Sequence, residues 1–115
     1  MFTLGHDFVA PSVHAGGLRY HGMNSQVSLL KNEGYITAKT AHQTDVFKAG
    51  KLFAKTEGVI PAPESNHAIK IAIDEAQKCK QKGEEKTIVV NLSGHGLLDL
   101  KGYESYMDGT LEDSK

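Results

Sequence analysis

Thr87-Ile88-Val89-Val90-Asn91-Leu92-Ser93-Gly94-His95-Gly96 is the stretch on which the fold reading turns. Residues 87–92 are β-branched and nearly unbroken in apolar character, as in a strand covered on both faces. Ser93-Gly94-His95-Gly96 then breaks the run sharply. Working back, Ser65 to Lys82 reads as a helix that Ser65 can cap and Gly83 stops. Ile69, Ala72, Ile73 and Ala76 follow helical spacing, and Ile71 broadens that face. Val59 to Pro63 is extended, because each proline pushes its predecessor out of the helical region. Asp45 to Thr56 reads as a second helix, with Thr44 as N-cap and Gly58 just past its end. Tyr35 to Ala38 reads as a short strand and Val27 to Leu30 as one helical turn. Forward of the key stretch, Leu98 to Met107 reads as a short helix. Strand, helix, helix, strand, helix without hairpin signals points to α/β with parallel strands. Two parallel strands do not make a stable sheet. The expectation is therefore a partial parallel sheet with flanking helices, with further strands hidden in the loops or belonging to a larger sheet.

The chain has 115 residues, enough for one domain, read as 1–108, followed by a polar, acidic, mobile tail over 109–115. Hydrophobic residues make up 39%, charged residues 23%, and the mean hydropathy is -0.36, a globular composition. A net charge of -1 argues against a nucleic-acid partner. No apolar run approaches the ~20 residues that a membrane span needs. The single cysteine, Cys79, excludes an internal disulfide framework. With no signal-peptide pattern, it suggests a cytoplasmic protein. Gly5, Pro11, Gly16, Gly17, Gly22 and Gly34 interrupt every apolar run in the first 34 residues. A loop region this long is uncommon unless it is functional.

Ligands of parallel sheets bind beyond the carboxyl ends of strands, which puts Ser93 and Gly94 at a candidate site. An ordinary turn at a strand end reads the same way. A dinucleotide loop does not fit, since a third glycine would fall at Asp99. In Pro61-Ala62-Pro63-Glu64-Ser65-Asn66-His67, Glu64 just precedes a helix start, where a carboxylate can act as acid or base or simply complement the dipole. Asp7, Arg19 and His21 would line a polar pocket if the first loop folds over a site. Six histidines show no His-x-x-x-His pair and there is no Cys-x-x-Cys, so no metal site is expected from spacing.

Together, Glu57-Gly58-Val59-Ile60-Pro61-Ala62-Pro63-Glu64-Ser65-Asn66-His67-Ala68 and Val89-Val90-Asn91-Leu92-Ser93-Gly94-His95-Gly96 resemble the C-terminal part of the tryptophan synthase beta chain. The segment from Gly5 to Gly22 resembles the second, divergent subgroup of that family. The family is a pyridoxal-phosphate lyase of the type II fold that joins L-serine and indole into L-tryptophan by β-replacement. The resemblance implies that Ser93 bonds the pyridine nitrogen of the cofactor, with Gly94 and Asn91 completing that binding edge. It implies that Glu64 lies beside the ring and activates the indole, and that Asp7 contacts the substrate's β-hydroxyl. Backbone carbonyls of Phe8 and Ser12 match part of a monovalent-cation site, across a two-residue insertion (Val9, Ala10).

The chain also departs from the family. Its usual arginine after the Ser-Gly pair is His95 here, and an aspartate soon after is Leu97. The Schiff-base lysine of a His-Lys-x-Asn motif and the Gly-Gly-Gly-Ser-Asn phosphate loop have no counterpart, Gly16-Gly17 being the nearest. The resemblance thus implies a C-terminal portion, inactive alone, whose partner is the N-terminal portion of the same enzyme or a second copy in a homo-oligomer. An alpha-subunit partner is left open. The alternative is a non-catalytic binding module or remnant that pairs with a separate N-terminal chain.

Overall fold

The structure, a computed structural model, describes residues 1–113. Four helices follow in order: α1 (Ser25–Asn32), α2 (Gln43–Glu57), α3 (Pro63–Lys82) and α4 (Leu100–Met107). Short 3-10 turns lie at Gly16–Leu18 and Gly96–Leu98. Local chemistry explains the ends. Asn24 starts α1, its side-chain oxygen accepting the amides of Gln26 at 2.9 Å and Val27 at 3.2 Å. Gly58 and Gly83 end α2 and α3 at φ of +72° and +67°, a region that costs glycine little.

No strand forms among the described residues, which corrects the expectation of an α/β fold with a partial parallel sheet. Residues 87–92 run extended without a backbone hydrogen bond. Ile88, Val90 and Leu92 line a groove with Ile69, Ala72 and Ile73 of α3 and Leu52 and Phe53 of α2. The β-branched run specifies an extended backbone and an apolar surface, but a ladder needs a second extended segment. On one side the neighbours are helices, whose backbone groups are already paired, and on the other residues 37–39 stand across a groove without a backbone hydrogen bond to the run among the described residues. Tyr35 and Ile36 fail as a strand for a different reason: their amides bond the Leu30 carbonyl, at 2.9 and 3.4 Å, and close the end of α1. One isolated antiparallel bridge joins Thr3 and Gly22.

Helix α2 packs against α3, and α4 packs against α2. Phe47 sits at the centre, 1% exposed, edge-on to Tyr103 at 5.0 Å and to His14 at 6.2 Å. Two glycines permit this. A Cβ on Gly102 would stand 2.7 Å from the Phe47 ring, and one on Gly50 would overlap the side-chain amide of Asn66. Asn66 is fully buried and donates to the Tyr103 hydroxyl at 2.9 Å. Gly50→Ala gains roughly 1 kcal/mol of helix propensity. Overpacking a buried, immobile partner typically costs about 1–3 kcal/mol. Gly50→Ala is therefore expected to lower the urea midpoint, and an unchanged or raised midpoint would contradict the α2–α3 packing.

All four helices start within two residues of the expected positions, and the two long ones also differ in how they are capped. Helix α3 begins at Pro63, whose ring presets the first helical φ, so Ser65 is not its cap. Helix α2 begins at Gln43 with no side-chain cap of its own. The segment read as a mobile tail supplies one: the Asp113 carboxylate accepts from the Thr44 amide at 2.9 Å and its hydroxyl at 2.8 Å. The Thr44 backbone bond, then its side-chain bond, holds the Asp113 carboxyl below its ordinary value. This contact is therefore present above the ordinary carboxylate pKa and lost as pH falls through the lowered one. The Thr44 amide resonance, followed through an acid titration, is expected to move with Asp113 and to lose that step in Asp113→Asn.

Candidate functional site

The site is built at the start of α3. Tyr103 of α4 donates its hydroxyl to the Pro61 carbonyl at 2.6 Å and accepts from Asn66. Burial pushes this phenol above its ordinary value, against the opposing Asn66 bond, so it stays protonated as a donor. Pro61, Ala62 and Pro63 are all buried. The segment leading into Glu64 is thus held from behind by the core.

Glu64 lies in the first turn of α3, where the helix dipole favours a carboxylate. One of its oxygens accepts the Gly17 amide at 2.7 Å. A Cβ on Gly17 would fall 3.0 Å from that oxygen, so only a glycine meets the carboxylate this closely without displacing it. The other Glu64 oxygen has no hydrogen-bond partner among the described residues. The first loop reaches the helix start through the Gly17 amide, not through Asp7, Arg19 or His21.

Ser93 reaches the same place from the far end of the chain. Its backbone is bonded twice by the Ser65 hydroxyl, which donates to the Ser93 carbonyl at 2.8 Å and accepts its amide at 3.2 Å. This sets Ser93 beside the turn that carries Glu64. The Ser93 hydroxyl is exposed and bonds nothing among the described residues. Gly94 turns the chain at φ +68°. Gly96 then donates to the Ile60 carbonyl at 2.8 Å, and a Cβ there would stand 2.5 Å from the Pro61 carbonyl oxygen. His95 accepts the Leu97 amide at 3.3 Å and caps its own 3-10 turn.

The other expected site residues are not brought in. Asp7 is exposed, and its partner among the described residues is His6, at 3.2 Å. Asn91 lines a separate groove with Thr37, Lys39 and His67. The Phe8 and Ser12 carbonyls accept no hydrogen bond among the described residues. No cluster of three or more His, Cys, Asp or Glu side chains is placed to hold a metal among them. No helix there is long and apolar enough to cross a membrane. The residue that sequence reasoning misplaced is Ser65. A helix-start serine signals a cap, and nothing local reveals a partner 28 residues away.

Glu64 thus lies in the first turn of α3, and Ser93 is tied by its backbone to Ser65 of that same turn. No family model matches the chain. It is 65% identical to the tryptophan synthase beta chain 2 of Methanothermobacter thermautotrophicus, over 96% of this chain and 26% of that protein. It is 60% identical to the tryptophan synthase beta chain of Thermococcus onnurineus, over 98% of this chain and 26% of that one. For the beta chain 2 of Aquifex aeolicus the figures are 61%, 98% and 26%. The chain therefore resembles tryptophan synthase beta chains, type 2 among them, along almost its whole length. It spans about a quarter of the length of the curated relatives it matches, as a C-terminal portion would.

Much apolar surface is left open. Val89 and Leu98 are 88% and 87% exposed, and the groove lined by Ile88, Val90 and Leu92 measures about 580 Å³. Exposed apolar surface on this scale tends to find a partner. The chain is expected to sediment as a dimer or larger and to bind a hydrophobic dye. A dye-negative monomer at high concentration would contradict this.

Proposed function

We propose that this chain forms the ring-binding edge of the pyridoxal-phosphate site in a cytoplasmic tryptophan synthase beta-type enzyme. The enzyme joins serine and indole into tryptophan, and a polypeptide of this sequence alone makes none. The single observation that carries the reading is the Ser65 hydroxyl. It brings Ser93 to the first turn of α3, so two residues matched to the family's cofactor contacts share one rim.

The residues present fit part of the cofactor. A hydroxyl without a protein partner suits an unprotonated pyridine nitrogen, and Gly94 leaves the approach free of a side chain. The group's phosphate and aldehyde find no counterpart in this chain, which lacks the glycine loop and the His-Lys pair. When bound, the cofactor supplies an electron sink for loss of the serine hydroxyl. Ser93 orients the ring by bonding its nitrogen without placing a charge there. Glu64 holds the indole, and its free oxygen takes the proton that the nucleophile releases. Asp7 enters the proposal on the resemblance alone, as the contact for the substrate hydroxyl.

The test is to mix the chain with a polypeptide carrying the lysine and glycine motifs, and to add pyridoxal phosphate, serine and indole. Tryptophan is expected from the mixture and from neither part. Tryptophan from this chain alone, or none from the mixture, would overturn the reading.

A further inference from the structure

We propose that Ser65 is the positioning residue of this site: its hydroxyl locks the Ser93 backbone and so sets where the free Ser93 hydroxyl stands relative to Glu64. The proposal rests on the reading of Ser93 as a cofactor contact. Ser65 is the third residue of α3, after Pro63 and Glu64, and takes no part in capping. A hydroxyl offers one donor and two acceptor positions. Here the donor goes to the Ser93 carbonyl and one acceptor position takes the Ser93 amide. Those are the only hydrogen bonds of either Ser93 backbone group among the described residues. Ser65 is 5% exposed, so its hydroxyl is shielded at its own end of both bonds.

Both peptide planes that flank the Ser93 Cα are thereby fixed, which leaves the side chain only its own rotation. The far end of the loop is pinned separately, by the Gly96 amide on the Ile60 carbonyl. Because Ser65 is covalently next to Glu64, one helical turn places the carboxylate and the hydroxyl in a common frame. Removing the Ser65 hydroxyl frees the Ser93 end of the loop while leaving Ser93, Gly94 and Glu64 all present.

The test uses the assembled protein, this chain with the polypeptide that carries the lysine and glycine motifs. The readouts are the visible band of bound pyridoxal phosphate and its dissociation constant. Ser65→Ala is expected to move the band as Ser93→Ala does and to weaken cofactor binding about tenfold. Ser65→Thr, which keeps the hydroxyl, is expected to stay near the parent. Val46→Ala, a core change of comparable destabilisation, is expected to leave the band in place. A Ser93→Ala shift without a Ser65→Ala shift, or an equal shift in Val46→Ala, would overturn the positioning role alone. No shift in Ser93→Ala would overturn it together with the cofactor reading. If Ser65→Ala does not assemble, amide exchange in this chain decides: Ser93 is expected to exchange faster in the variant, and unchanged protection overturns the proposal.

Discussion

Ser93→Asp is expected to lower tryptophan formation by the assembled enzyme about a hundredfold, the scale of losing one well-placed polar contact at a reacting group. It is expected to leave most of the cofactor bound. Ser93 is exposed, its hydroxyl has no partner among the described residues, and it belongs to a loop whose backbone is held from both ends. An aspartate there would keep a proton on a ring nitrogen through a charge-assisted bond, where a hydroxyl does not. The electronic character of the bound group then changes, while the lysine and glycine motifs that retain it lie in the other polypeptide. Cofactor occupancy, visible spectrum and synthase rate, measured side by side, check this. An unchanged spectrum and rate would mean that Ser93 does not face the cofactor.

Phe47→Ala is expected to remove about 3–5 kcal/mol of stability, the range for emptying a buried aromatic site. Domains of this size hold only about 5–15 kcal/mol in total. Phe47 packs edge-on to Tyr103 and His14 and stacks on Tyr106 at 6.4 Å, so it joins α2 to α4. Tyr103 in turn holds the Pro61 carbonyl. The loss is therefore expected to reach the Glu64 turn as well as the core. Urea unfolding followed by circular dichroism measures it, with the exposed neighbour Lys48→Ala as control. A loss no larger than that of the control would show that the aromatic cluster is not the centre of the fold.

The helices were legible because their signals are local. Gly58 and Gly83 end helices at a left-handed φ, and the apolar spacing of Ile69, Ala72 and Ile73 is a face that lines one groove with Leu52 and Phe53 of α2. Glu64 and Ser93 were singled out by the motifs that surround them, and a Ser65–Ser93 contact ties the Ser93 backbone to the turn that carries Glu64. Asp7 and Asn91 were read from the same resemblance, yet no contact draws them to that rim.

By itself the sequence determined the helical segments, the turns between them and the extended, apolar character of residues 87–92, since each follows from torsional preference and side-chain periodicity within a few residues. Only the tertiary structure decided that this run pairs with no other segment among the described residues, that Ser65 serves Ser93 rather than its own helix, and that Asp113 caps α2. The reason is the same in each case. A hydrogen bond between distant segments depends on where packing around Phe47 and Asn66 delivers them, and no local pattern of residues encodes that arrival.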